Sequence, residues 1–152
     1  MNTAQRIQSH QKRRMWADPM ASVHVLAANT EQPKENADRI MVAIRLAFEK
    51  LKIGSAGGED FDRVSAAINV GLIRAELIDP LAEETMVKGV GAMMRCADIH
   101  RRHGKFGFTG PDLELMNDAV TLYEGILRLS TPKQMLDALD MAARRMREQL
   151  AA

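Results

Sequence analysis

The chain has few of the residues that mark several common protein classes. Its 152 residues include one cysteine, Cys96, which rules out an internal disulfide and is typical of a reducing compartment. Aromatic residues make up only 4%, and the alternation of apolar and polar residues that marks strands is scarce. No apolar run reaches the ~18 residues of a membrane span, and the N-terminus does not resemble a signal peptide. We therefore expect a cytoplasmic protein that does not bind membranes.

An excess of charge of one sign is also lacking. Lys and Arg number 21 against 20 Asp and Glu, so the formal net charge is +1 and any nucleic-acid binding must be local. Hydrophobic residues make up 46% and charged residues 27%, which is ordinary for a globular protein, and the length suits one domain. We expect residues 1–16 to form a mobile basic arm and residues 17–152 to form a single helical domain.

Proline pairs mark the beginnings of several helices. Four pairs place a capping residue before a proline, whose missing N–H costs nothing in the first helical turn. They are Asp18-Pro19, Asp79-Pro80, Gly110-Pro111 and Thr131-Pro132. Apolar residues at helical spacing predict two more helices, one from about Pro33 to Lys52 and one from Phe61 to near Asp79. The predicted fold is all-α, a compact bundle of five or six helices, with Gly54 and Gly104 ending two of them.

Two of the predicted helices differ in their apolar surface. Between Pro111 and Leu129, the apolar residues fill an arc of roughly 200°, which is wider than one core face requires. This helix is therefore either central in the fold or packs its surplus surface against a second chain. The last helix has one apolar side, which we expect to be buried. That side consists of Met135, Leu139, Ala142, Met146 and Leu150.

Cys96, His100 and His103 are spaced so that they would share one face of a helix. A thiolate and two imidazoles are suitable zinc ligands. The chain offers no fourth ligand of matching spacing, however, and a thiol at the edge of an apolar stripe is ordinarily buried. The cations at this helix end also interact favourably with the helix dipole without any metal. We therefore predict no metal site and no other cofactor, and these three residues remain the only metal candidates.

No pattern of catalytic residues stands out. Ser55 lies outside any nucleophile-elbow pattern, and the sequence contains neither a paired-carboxylate motif nor Glu-x-x-His. The glycine-rich linker at Gly54 to Gly58 lacks the preceding strand and the following Lys-Ser or Lys-Thr of a phosphate-binding loop. The sequence therefore predicts a protein that is not an enzyme.

Clusters of basic residues support an alternative function, that of a nucleic-acid-binding transcriptional regulator. The residues that would contact phosphates are Lys12, Arg13, Arg14, Arg144, Arg145 and Arg147. Trp16 lies beside the first cluster and could stack on a base. The near-zero net charge argues against a broad basic surface, so solvated charge is the preferred interpretation.

The segment from Gly104 to Pro111, with the following helix through Tyr123, resembles small proteins of proteobacterial prophages and plasmids. That group has no established activity. Some of its members are labelled as similar to Fis-type transcriptional regulators, which implies a helix-turn-helix. The connection from Gly104 to Gly110 is longer than the turn of about three or four residues in that motif, so we discount the label.

Two aromatic residues of this segment, Phe106 and Phe108, either pin the loop onto the bundle or contact a partner, and pinning is preferred. Together with Lys105 and Trp16, they are the candidate partner-binding residues. The leading hypothesis is a non-enzymatic helical protein that binds or regulates another protein and forms a homo-oligomer through the wide apolar face of the Pro111 to Leu129 helix. If it is encoded by a mobile element, its partner is a host or phage protein.

Overall fold

The computed structural model describes residues 32–151, and these residues form five helices and no strand. Helix α1 spans Lys34–Ile53, α2 Gly58–Glu76, α3 Pro80–His103, α4 Gly110–Leu129 and α5 Pro132–Ala151. The predicted all-α bundle is confirmed. The helix predicted after Asp18-Pro19 and the basic arm at residues 1–16 lie outside the described residues. Within residues 32–151, no helix combines the length and apolar composition needed to cross a membrane.

The helices begin where their capping residues predict. Asp79 accepts a hydrogen bond from the Leu81 N–H at 3.2 Å, and Pro80 occupies the first helical position. At the start of α5, the Gln134 N–H donates to Thr131 Oγ1 at 3.1 Å, and the Thr131 N–H donates to Gln134 Oε1 at 2.9 Å.

The start of α4 differs by one residue from the prediction. Thr109, and not Gly110, is the capping residue, because its Oγ1 accepts a hydrogen bond from the Asp112 N–H at 3.3 Å. The predicted helix ends at Gly54 and Gly104 are confirmed. Both glycines lie in the left-handed region of backbone conformation, with φ angles of 77° and 75°. Residues that have a Cβ atom rarely adopt this conformation.

Helices α1 to α4 run alternately up and down. At one end of the bundle, the Gln32 N–H donates to the Ser130 carbonyl at 3.2 Å, and Arg74 Nε donates to Ser130 Oγ at 3.2 Å. These contacts bring together the start of α1 and the ends of α2 and α4, and we call this the turn end because the α2–α3 turn lies here. At the other end, the loop end, Phe106 of the α3–α4 loop stacks on Phe61 near the start of α2.

The wide apolar arc of α4 is largely covered within the chain. Helix α4 packs against α1, α2 and α3, so it contacts neighbours on several sides. Met116, Val120 and Leu127 are fully buried, and of the arc's large side chains only Leu129 is exposed. The structure therefore shows the first of the two alternatives for this arc, in which α4 is a central helix of the bundle.

The expected burial of one side of α5 holds in part for Met135 and Ala142, which are partly buried against the core, and is wrong for its other three residues. Ala138 is the only buried residue of this helix, whereas Leu139, Met146 and Leu150 are 47%, 56% and 81% exposed. The reason is that α5 has one principal neighbour, α2, and crosses it. Its first turns lie beside α1, and Gln149 near its end lies beside α3. A helix that crosses one neighbour buries only the residues at the crossing.

Candidate functional site

The α3–α4 loop is held to the bundle by its aromatic residues. Phe106 is 8% exposed, and its ring stacks on Phe61 with 5.0 Å between ring centroids and on His100 with 4.1 Å. Phe108 is half-buried and meets Phe48 edge to face at 5.8 Å. Both rings therefore pin the loop, as the preferred interpretation has it.

Among the candidate partner-binding residues that lie within residues 32–151, only Lys105 is exposed. Phe106 is too buried to contact a partner, and Phe108 is half-buried. Trp16 lies outside the described residues. The loop is consequently a weaker contact surface than its two aromatic residues suggest in the sequence.

The three metal candidates do not converge. Cys96 is fully buried, and its thiol has a raised pKa because burial disfavours the thiolate. His100 stacks on Phe106, and His103 is exposed at the end of α3. Within residues 32–151, no group of three or more His, Cys, Asp or Glu side chains is arranged to hold a metal ion.

The three arginines of α5 differ in their surroundings. Arg145 donates to both carboxylate oxygens of Glu76 at 2.7 and 2.8 Å, which lowers the pKa of Glu76 and ties α5 to the end of α2. Arg144 and Arg147 are exposed. Lys12, Arg13 and Arg14 lie outside the described residues, so nothing shows them beside α5.

Charged side chains between helices are engaged in ion pairs that position α4. Glu124 accepts from Arg45 of α1 at 2.8 Å and from Arg128 at 3.2 Å, and these hydrogen bonds lower its pKa. Arg128 in turn donates to Asp38 of α1 at 2.7 Å. These residues join α1 to α4, and we assign them a structural role.

A second ion pair joins α3 to α4. Asp112 is buried, and both of its carboxylate oxygens accept from Arg95 at 2.8 to 3.0 Å. The pair raises the pKa of Arg95, chiefly through these hydrogen bonds. Both carboxylate oxygens of Asp112 are thus engaged by Arg95, and we assign this pair a structural role as well.

An apolar groove of about 520 Å³ lies between α1, α2 and α5. Buried Tyr123 and Leu127 of α4 contribute to its lining, and burial raises the pKa of Tyr123 to about 12. Ala66, Leu136 and Leu139 at its sides are exposed, so the groove is open to solvent. Its other lining residues include Ile40, Ala43 and Met135.

One side of the groove carries a cation. Arg63 of α2 lines it and is exposed, and no carboxylate within residues 32–151 forms an ion pair with it. Gln32 and Asn36 also line the groove, where the Asn36 amide donates to Gln32 Oε1 at 2.6 Å. The groove thus combines an apolar floor with a cation and amides at its edge.

The sequence did not predict this groove. Its walls come from helices far apart in the chain, and the spacing of Ile40 and Leu139 indicates an apolar face without indicating what covers it. Comparisons of the chain with family models, with curated proteins and with solved structures find no match. The geometry of the described residues is therefore the basis on which a function is proposed.

Proposed function

We propose that this protein is a non-enzymatic interaction protein that binds another protein through the groove between α1, α2 and α5. The observation that carries the proposal is the open apolar groove between these three helices. Apolar surface of this kind is rarely left exposed in a monomeric protein without a binding role. The proposed ligand is an amphipathic helix of the partner.

The shape and chemistry of the groove favour a helix over an extended peptide. Extended peptides are usually recognised at an exposed sheet edge, and residues 32–151 contain no strand. Helices α1 and α5 instead form two walls, and an amphipathic helix would lay its apolar face between them. Because Arg63 lines one side, we expect an acidic residue next to the apolar face of the bound helix.

The resemblance of the α3–α4 loop to prophage and plasmid proteins supplies a class of partner. A protein encoded by a mobile element acts on the proteins of its host or of a phage, so the partner is sought in a proteobacterial lysate. Binding in the groove would cover the apolar face of the partner's helix, and the protein would regulate its partner in this way.

An affinity pull-down of the tagged full chain, with and without nuclease, tests this proposal. Ala66→Trp places a large side chain in the groove at an exposed position, which the fold tolerates. Thr121→Trp adds the same side chain on the exposed surface of α4 and is the matched control. We expect a protein that survives nuclease, is retained by Thr121→Trp and is lost at least ~10-fold with Ala66→Trp.

Two results would contradict the proposal. If the recovered proteins disappear with nuclease, binding is through nucleic acid and the regulator hypothesis takes first place. If a nuclease-resistant partner binds Ala66→Trp as well as it binds the unmodified chain, then the groove is not its site.

A further inference from the structure

One side of α5 carries an apolar seam that begins at the groove and that nothing within residues 32–151 covers. Its members follow one another at intervals of three, four, three and four residues, which is the spacing of helices that pack along their length. They are Leu136, Leu139, Ala143, Met146 and Leu150, and all five are exposed. The residues that face α2, Ala138 and Arg145, lie on a different side of the helix. The seam is thus free to contact another molecule.

Two charges of opposite sign directly follow members of this seam. Asp140 lies in the first half of the helix, whereas Arg147 lies in its second half. Both are exposed, and of the other charges Lys133 precedes the first seam residue and Glu148 lies on the far side of the helix. A helix with this distribution is complementary to a copy of itself that runs in the opposite direction.

We propose that the protein forms a homodimer in which the α5 helices of two copies pack antiparallel along this seam. The two-fold axis passes at the level between Arg144 and Arg145, so Leu139 packs against Leu150 of the partner subunit, and Ala143 packs against Met146 of the partner subunit. An interface of this kind is isologous, since the same surface is used twice. The dimer interface therefore lies on α5 and not on α4.

This register also pairs the flanking charges. In an antiparallel helix pair, positions that directly follow the seam on one helix face the same type of position on the other. Asp140 follows Leu139, and Arg147 follows Met146. Asp140 of each copy therefore faces Arg147 of the partner subunit, and the two-fold axis generates this ion pair twice. A parallel arrangement would place Asp140 and Arg147 beside Met135 and Ala142 and would form neither pair.

The dimer does not depend on the proposed groove function. Leu136 and Leu139 belong to both surfaces, but Asp140, Met146 and Arg147 do not line the groove. Variants at these three positions therefore test the dimer without changing the lining of the groove, and Ala66→Trp changes the groove without replacing a residue of the seam.

A charge-exchange experiment tests the antiparallel pairing. Asp140→Arg and Arg147→Asp each place like charges opposite each other twice, and we expect each variant to dimerise ~10-fold more weakly than the unmodified chain. Mixed in equal amounts, the two variants should form a heterodimer of near-original affinity, because every facing pair is again of opposite sign. Sedimentation velocity measures the affinities, and native mass spectrometry identifies the heterodimer.

Two further variants complete the experiment. Met146→Glu places a charge in the seam at an exposed position and should give a folded monomer by circular dichroism. Asp118→Arg makes the same charge change as Asp140→Arg on the exposed surface of α4 and should leave the dimer unchanged. A strict monomer at about 100 µM, or a dimer that tolerates Met146→Glu, would overturn the proposal. Failure of the mixed variants to pair would overturn the antiparallel register.

Discussion

At Gly89, α3 approaches α4 so closely that no side chain fits between the two helices. A Cβ atom placed there would lie 2.6 Å from the Cβ atom of Ala119, and neither atom belongs to a flexible side chain that could move away. Gly125 provides the contrast on α4, since a Cβ atom at that position meets nothing within 4 Å. The two glycines therefore lie in helices for different reasons.

We expect Gly89→Ala to destabilise the protein and Gly125→Ala to stabilise it. Both substitutions gain up to about 1 kcal/mol in helix propensity. At Gly89, overpacking costs about 1–3 kcal/mol, so the net free energy of unfolding should fall. Urea unfolding followed by circular dichroism measures both. Adding Ala119→Gly to the Gly89→Ala variant should restore part of the loss, and stabilisation by Gly89→Ala alone would disprove the close contact.

At the scale of the structural elements, the α3–α4 loop shows how an irregular segment is held in place. Phe106 fills a site between α2 and α3, whereas Phe108 covers only part of Phe48. The burial of a ring determines how much stability its removal costs. The loop is thus an integral part of the loop end of the bundle.

Phe106→Ala should lower the free energy of unfolding by about 3–5 kcal/mol, as expected for a buried ring. Phe108→Ala is the matched comparison, and we expect roughly half that loss because this ring is half-buried. Thermal unfolding ranks the two variants. If both variants lose the same small amount of unfolding free energy, then Phe106 is not packed as described. Its ring would then be available to contact a partner.

The helices could be predicted from the sequence because their ends depend on local contacts. Asp79, Thr131 and Gly104 act on backbone groups within four residues of themselves, and such contacts are visible in the sequence. The surroundings of α5 could not be predicted. Its apolar spacing is the same whether α1, α3 or a second chain covers it, and only the crossing with α2 leaves Leu150 exposed.

For the molecule as a whole, four helices form a core and the fifth supplies surface. Helix α5 forms one wall of the groove, and the exposed seam continues from that wall along the helix. The sequence predicted partner contacts in the α3–α4 loop, where Phe106 is buried in the structure, because exposed and buried aromatic residues look alike in a sequence. The groove depends on how α1, α2 and α5 meet, and this information is not present in the spacing of any one helix.

The most direct test of the central claim is site-specific photo-cross-linking in living bacteria, with a photoreactive amino acid at Ala66 in the groove or at Thr121 on α4. We expect a cross-linked species containing a second, different protein from position 66 and none from position 121. A cross-link from position 66 only to residues 1–31 of the same chain, or equal products from both positions, would contradict the account.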